Sequence, residues 1–125
     1  MIFDTDVLVW ASRGNPAAAN VINRTADRVL SIVSFMELLQ GARSKLEARQ
    51  IRQFLRELRF HVLPLSGTIG DAAAAIVEQH ALSHGIQLAD ALIAATVIEA
   101  ADQLCTANVK HFRPVGTLSL VAFRP

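Results

Sequence analysis

Val29-Leu30-Ser31-Ile32-Val33-Ser34-Phe35-Met36-Glu37-Leu38-Leu39-Gln40-Gly41 changes its period part-way along. The run Val29–Val33 is rich in β-branched and aliphatic residues on both faces, the pattern of a strand buried in a parallel sheet. From Ser34 the spacing turns helical, and Ser34-Phe35-Met36-Glu37 has the form of a capping box ahead of Leu38, Leu39 and Ala42. The stretch thus predicts a strand running directly into a helix. The same alternation extends to both ends of the chain. Short apolar runs at Met1–Phe3, His61–Leu65, Gln103–Thr106 and Leu118–Phe123 predict further strands. Helices are expected from Asn15-Pro16 to about Ala26, over Glu47–Leu58, over Ala72–Ser83 and over Leu88–Ala101. Thr68-Ile69-Gly70-Asp71 resembles the cap of the third of these, and Gly85 ends it. The alternation predicts an α/β fold: a three-layer α/β/α sandwich with a central, mostly parallel sheet of about five strands.

At 125 residues, with 52% hydrophobic and 18% charged side chains, the chain is expected to form one domain over 1–125 and not a disordered segment. A net charge of +1 speaks against a protein that coats nucleic acid without specificity. Asp90, Thr96 and Glu99 interrupt the longest apolar candidate for a membrane span, so no membrane association is expected. Met1-Ile2-Phe3-Asp4 lacks the basic start of a secretory leader. Cys105 is the one cysteine, which excludes an internal disulfide and fits a reducing cytoplasm.

Three carboxylates stand in unusually apolar surroundings. Asp4 follows Ile2-Phe3, Glu37 lies among Phe35, Met36, Leu38 and Leu39, and Asp90 lies within Leu88-Ala89-Asp90-Ala91-Leu92. An unpaired buried carboxylate is costly, so each must be hydrogen-bonded, neutralised or bound to a cation. On the expected fold Asp4 ends the first strand, Glu37 lies in the first turn after the second, Asp90 opens the last long helix, and Thr106-Ala107-Asn108 follows the fourth strand. The carboxyl ends of parallel strands share one edge, where ligands bind. No Lys or Arg adjoins these acids in sequence, so a hard divalent cation with oxygen ligands is their natural partner. Each also has a plainer reading. Glu37 completes the capping box, Asp90 is a helix-start acid, Asp6 caps a following helix or supports the site, and Asn108 is a turn residue. Asp4 alone has no routine capping duty.

At these residues the sequence resembles the PIN-domain ribonucleases, and among them the VapC-type toxins of toxin–antitoxin pairs. The matching stretches are Ile2-Phe3-Asp4-Thr5-Asp6-Val7-Leu8, Ser34-Phe35-Met36-Glu37-Leu38-Leu39-Gln40-Gly41, Leu88-Ala89-Asp90-Ala91-Leu92-Ile93-Ala94-Ala95-Thr96 and Thr106-Ala107-Asn108-Val109-Lys110-His111-Phe112. The resemblance implies a PIN-like fold, dependence on Mg²⁺ or Mn²⁺, endonucleolytic cleavage of RNA and a small antitoxin partner, while the apolar surplus of the chain points to a surface covered by a second subunit, as in a homodimer, or by the antitoxin. The resemblance places Asp4, Glu37 and Asp90 as the metal-holding catalytic acids. Asn108 stands where many relatives carry a fourth acid, and so keeps an oxygen ligand while dropping a charge. Thr5, Asp6 and Thr106 match supporting positions. The expected chemistry is phosphodiester hydrolysis by water activated at a cation held in the acidic cluster.

Arg43, Lys45, Arg49, Arg52, Arg56 and Arg59 place half of the twelve basic residues within one short segment. Arg49, Arg52, Arg56 and Arg59 recur at steps of three or four, along one helical face. That stripe is either a track for RNA phosphates or a solvated face open to an acidic antitoxin. No aromatic platform interleaves with it in the sequence. His111 shares a loop with Asn108, and His80 and His84 have the spacing of surface residues. Two other functions compete with the ribonuclease. Asp4-Thr5-Asp6 after an apolar strand resembles the start of aspartyl-nucleophile phosphatases, but Leu8 stands where they expect threonine. A catalytically weak PIN fold, binding RNA or protein, is the other.

Overall fold

Five short strands form one sheet in the order β3-β2-β1-β4-β5, with every neighbouring pair parallel. They are β1 (Ile2–Phe3), β2 (Val29–Ser31), β3 (His61–Leu63), β4 (Gln103–Thr106) and β5 (Ser119–Ala122) in a computed structural model that describes residues 1–125. The helices between them are α1 (Thr5–Ser12), α2 (Pro16–Asn23), α3 (Ile32–Gln40), α4 (Lys45–Glu57), α5 (Gly67–His84), α6 (Leu88–Glu99) and α7 (Val109–Phe112). No helix is long and apolar enough to cross a membrane.

The three layers follow from the two-residue alternation of strand side chains. Ile2, Val29 and Leu104 lie in register and point to one face, where Ile69, Ala73 and Ile76 of α5 and Ala91, Ala94 and Val97 of α6 cover them. Phe3, Leu30 and Cys105 point to the other, against Val7 and Leu8 of α1, Ala18 and Ile22 of α2 and Leu55 of α4. Because both faces are covered, the strands read as uninterrupted apolar runs. Removing a fully buried ring such as Phe3 costs about 3–5 kcal/mol in sites of this kind.

The structure confirms the strand–helix alternation and moves several boundaries. β2 ends at Ser31, whose hydroxyl accepts from the N–H of Val33 and caps α3 three residues earlier than expected. Ile32 and Val33 have strand propensity, but the cap and packing in the sheet override it. Ser34 is therefore inside the helix, buried, with no partner for its hydroxyl, and Glu37 lies mid-helix and completes no capping box. β3 stops at Leu63 because Pro64 has no N–H for the ladder. Ser66, not Thr68, caps α5, and Gly85 ends it at φ +67°. α1 and α7 are additional elements, and Arg59 lies beyond α4, so the exposed arginine stripe on that helix stops at Arg56.

Between β1 and β4 the winding of the sheet reverses: the chain proceeds outward from β1 through β2 to β3, then returns to place β4 on the opposite side of β1. A parallel sheet opens a crevice at the carboxyl edge of such a switch point. Asp4 and Thr106 are the residues that stand there.

Candidate active site

Asp4 follows β1 directly, and its N–H still donates to the carbonyl of Cys105 on β4 at 2.9 Å. Its side chain is buried, and each carboxylate oxygen accepts one hydrogen bond. Oδ1 accepts from the N–H of Thr5 at 2.8 Å, and Oδ2 accepts from the hydroxyl of Thr106 at 2.8 Å. The expectation that Asp4 has no capping duty is thereby corrected, since it is the N-cap of α1. Thr106 is 0% exposed, and its own oxygen accepts from the N–H of Asn108 at 2.9 Å, which leaves its single proton for Asp4.

The neighbouring acids are held in the same manner. Thr5 donates its hydroxyl to Glu37 Oε1 at 2.6 Å, tying α1 to α3. Asp6, in the first turn of α1, accepts from the N–H of Ala107 at 3.1 Å, while its other oxygen is buried without a partner. Asp90 lies in the first turn of α6, with His111 Nδ1 3.7 Å from its Oδ2. His111 belongs to α7, not to a loop, and no other histidine reaches this region. Asn108 precedes α7 but makes no side-chain cap, so its amide is uncommitted.

Asp4, Thr5, Asp6, Glu37, Asp90 and Asn108 all line one open cavity of about 380 Å³, and Thr106 lies behind Asp4. Four of these six are acidic. The cost is visible in their titration. Burial, then the charge of Asp6, raises Asp4 from 3.8 to about 7, against the opposing bonds from Thr106 and Thr5. Burial also raises Asp6, and raises Asp90 against the opposing effect of His111. No three acidic, histidine or cysteine side chains stand close enough to share one ion in this arrangement. The donor set nevertheless fits a hard divalent cation: all its atoms are oxygens, one buried carboxylate oxygen has no partner, and no Lys or Arg neutralises the group.

Trp10 and Arg13 also line the cavity, and neither was expected from the sequence. A step of four from Asp6 places Trp10 on the site's side of α1, and a further step of three reaches Arg13 at the C-cap, a signal available only once Thr5–Ser12 is read as a helix. A larger groove of about 710 Å³ lies alongside, walled by Leu8, Leu38, Ile51 and Phe54, and it meets the acidic cavity at Val9 and Arg13. Arg43 lines that groove. Arg49, Arg52 and Arg56 are exposed on α4 and do not line the acidic cavity. The guanidinium of Arg52 lies 5.0 Å over the ring of Phe35, so an aromatic ring does sit under this stripe, supplied by α3. Cys105 is buried behind the site, its thiol pushed up to about 11 chiefly by burial.

Known proteins share this arrangement of chain. A PIN domain family model matches residues 1–116. Ribonuclease VapC10 of Mycobacterium tuberculosis is 34% identical over 116 residues, covering 90% of this chain and 85% of that protein. Among solved structures, a toxin–antitoxin complex from Klebsiella pneumoniae superposes with a TM-score of 0.80 at 24% identity, covering 97% of this chain and 95% of its own. VapBC2 from Rickettsia felis, bound to a promoter DNA fragment, gives 0.80 at 21% identity over 99% and 100%. These two likenesses concern the fold. Matched by its family along almost its whole length, the chain belongs to the PIN domain family.

Proposed function

We propose that this protein is a metal-dependent endoribonuclease, the toxin of a toxin–antitoxin pair, and that Asp4, Glu37 and Asp90 with Asn108 are its catalytic residues. The observation that carries the reading is the single cavity at the sheet's switch point, lined by all four of these residues. The 34% identity to a protein named as a ribonuclease supports the same activity. Asp4, Asp90 and Glu37 would have to draw closer than they stand here to hold one cation together, with Asn108 lining the same space; Mg²⁺ is the proposed ion, with Mn²⁺ as its substitute. When bound, such an ion lowers the pKa of water and stabilises charge on phosphate oxygens.

The chain's own residues do the positioning. Thr106 fixes the carboxylate plane of Asp4, Thr5 fixes Glu37, and the N–H of Ala107 fixes Asp6 as a supporting acid. Holding the carboxylates on hydroxyl and amide donors, with no Lys or Arg ion-paired to them, leaves them open to a cation. Residues 1–125 would work as one PIN-like domain. Arg43, Arg49, Arg52 and Arg56 are proposed contacts for RNA or for the antitoxin. Exposed Leu82 and Leu88 on α5 and α6 supply apolar surface for a homodimer, and a monomeric mass in solution would remove that part of the proposal.

The test is incubation of the purified chain, free of antitoxin, with structured RNA in the presence of Mg²⁺, Mn²⁺ or a chelator. Cleavage with either ion and none with chelator is expected. Absence of cleavage together with absence of metal uptake would favour a binding module on the same fold.

A further inference from the structure

We propose that Trp10 and Arg13 hold the nucleotide beside the scissile phosphate, the indole stacking on an unpaired base and the guanidinium binding a backbone phosphate. This inference rests on the ribonuclease reading and names the substrate class as single-stranded or looped RNA. Trp10 lies in the last turn of α1 and Arg13 is its C-cap, three positions on, so the two are neighbours at the end of that helix. Both line the cavity that holds Asp4, Asp6, Glu37 and Asp90. A polyanion entering that cavity meets four carboxylates, and Arg13 is the only Lys or Arg lining it. None of the chain's ion pairs takes Arg13, so its charge is not spent on an acid. It also lines the adjoining groove, at the point where a strand passing between the two must cross.

Trp10 is 39% exposed, the largest side chain in the protein left at a rim of charged residues. Its exposure leaves ring surface unpacked, and an aromatic surface beside a phosphate-binding cation accepts any base as a stacking partner. A base already paired and stacked within a duplex offers no free face. The pair of residues therefore selects unpaired nucleotides, while sequence preference would have to come from elsewhere.

The chain has one tryptophan and no tyrosine, so its intrinsic emission reports Trp10 alone. Single-stranded RNA titrated into the Asp90→Asn chain is expected to change that emission saturably, with the corresponding duplex binding about tenfold more weakly. In the cleavage assay, Trp10→Ala is expected to raise KM about tenfold with little change in kcat, and Trp10→Phe to restore most of the loss. Arg13→Gln should raise KM and flatten its dependence on salt. Circular dichroism of each variant checks the fold. Emission indifferent to saturating RNA, or a Trp10→Ala chain with the wild-type KM, would overturn the proposal and leave the ribonuclease reading intact. Saturable quenching by RNA that the wild type never cuts would overturn the ribonuclease and keep the base-holding role. Quenching by a protein partner but not by RNA would assign the surface to that partner and overturn it as well.

Discussion

Thr106 has one hydroxyl proton, and because the N–H of Asn108 occupies its acceptor side, that proton serves Asp4. The bond favours the charged form of Asp4, yet burial outweighs it and holds the group at about 7. The folded state thus binds this proton more tightly than the unfolded chain, where the value is near 3.8. Stability without metal must then fall as pH rises between those two values, by on the order of 4 kcal/mol at most for Asp4. Asp6 and Asp90 are raised as well and act in the same direction. In chelator, the Tm is expected to drop from about pH 4 to about pH 7, and Asp4→Asn should reduce that slope. An Asp4→Asn chain with an unchanged slope would show that burial of Asp4 has little hold on the fold.

Helix α3 carries Glu37 into the site, and its start at Ser31 sets which turn Glu37 occupies. Ser31→Ala should cost about 1 kcal/mol in urea unfolding through the lost cap. Ser34→Ala should be close to neutral, because its buried hydroxyl has no partner to lose. The reverse ranking would place the cap at Ser34. This helix shows what the sequence can and cannot convey. That Asp4, Glu37, Asp90 and Asn108 line one cavity was legible because three carboxylates in apolar runs each need a partner, and the strand–helix alternation places all four residues at one sheet edge. The start of α3 was not, because Ile32 and Val33 continue the strand pattern and only the register of the sheet decides between the two. Helix α1 was hidden for a related reason: Val7, Val9 and Trp10 are weak helix formers, and packing of Val7 and Leu8 on Phe3 imposes the helix. Missing α1 meant missing Trp10 and Arg13.

Across the whole molecule, a net charge of +1 conceals two separate fields. Acids gather at the carboxyl edge between β1 and β4, and exposed arginines line α4, with the apolar groove next to the acidic cavity. That separation suits a substrate whose backbone is attracted by one surface and cut at another. It also makes the assignment of the cutting surface testable without knowledge of the natural RNA. The direct measurement is the cleavage rate of one structured RNA, at saturating Mg²⁺, by the wild type and by Asp4→Asn, Glu37→Gln and Asp90→Asn, with thermal unfolding confirming each fold. Loss of one of these carboxylates should lower kcat by about a hundredfold or more, the scale typical of groups that stabilise charge in a transition state. Metal-dependent cleavage that survives Asp4→Asn would place the active site elsewhere in the molecule.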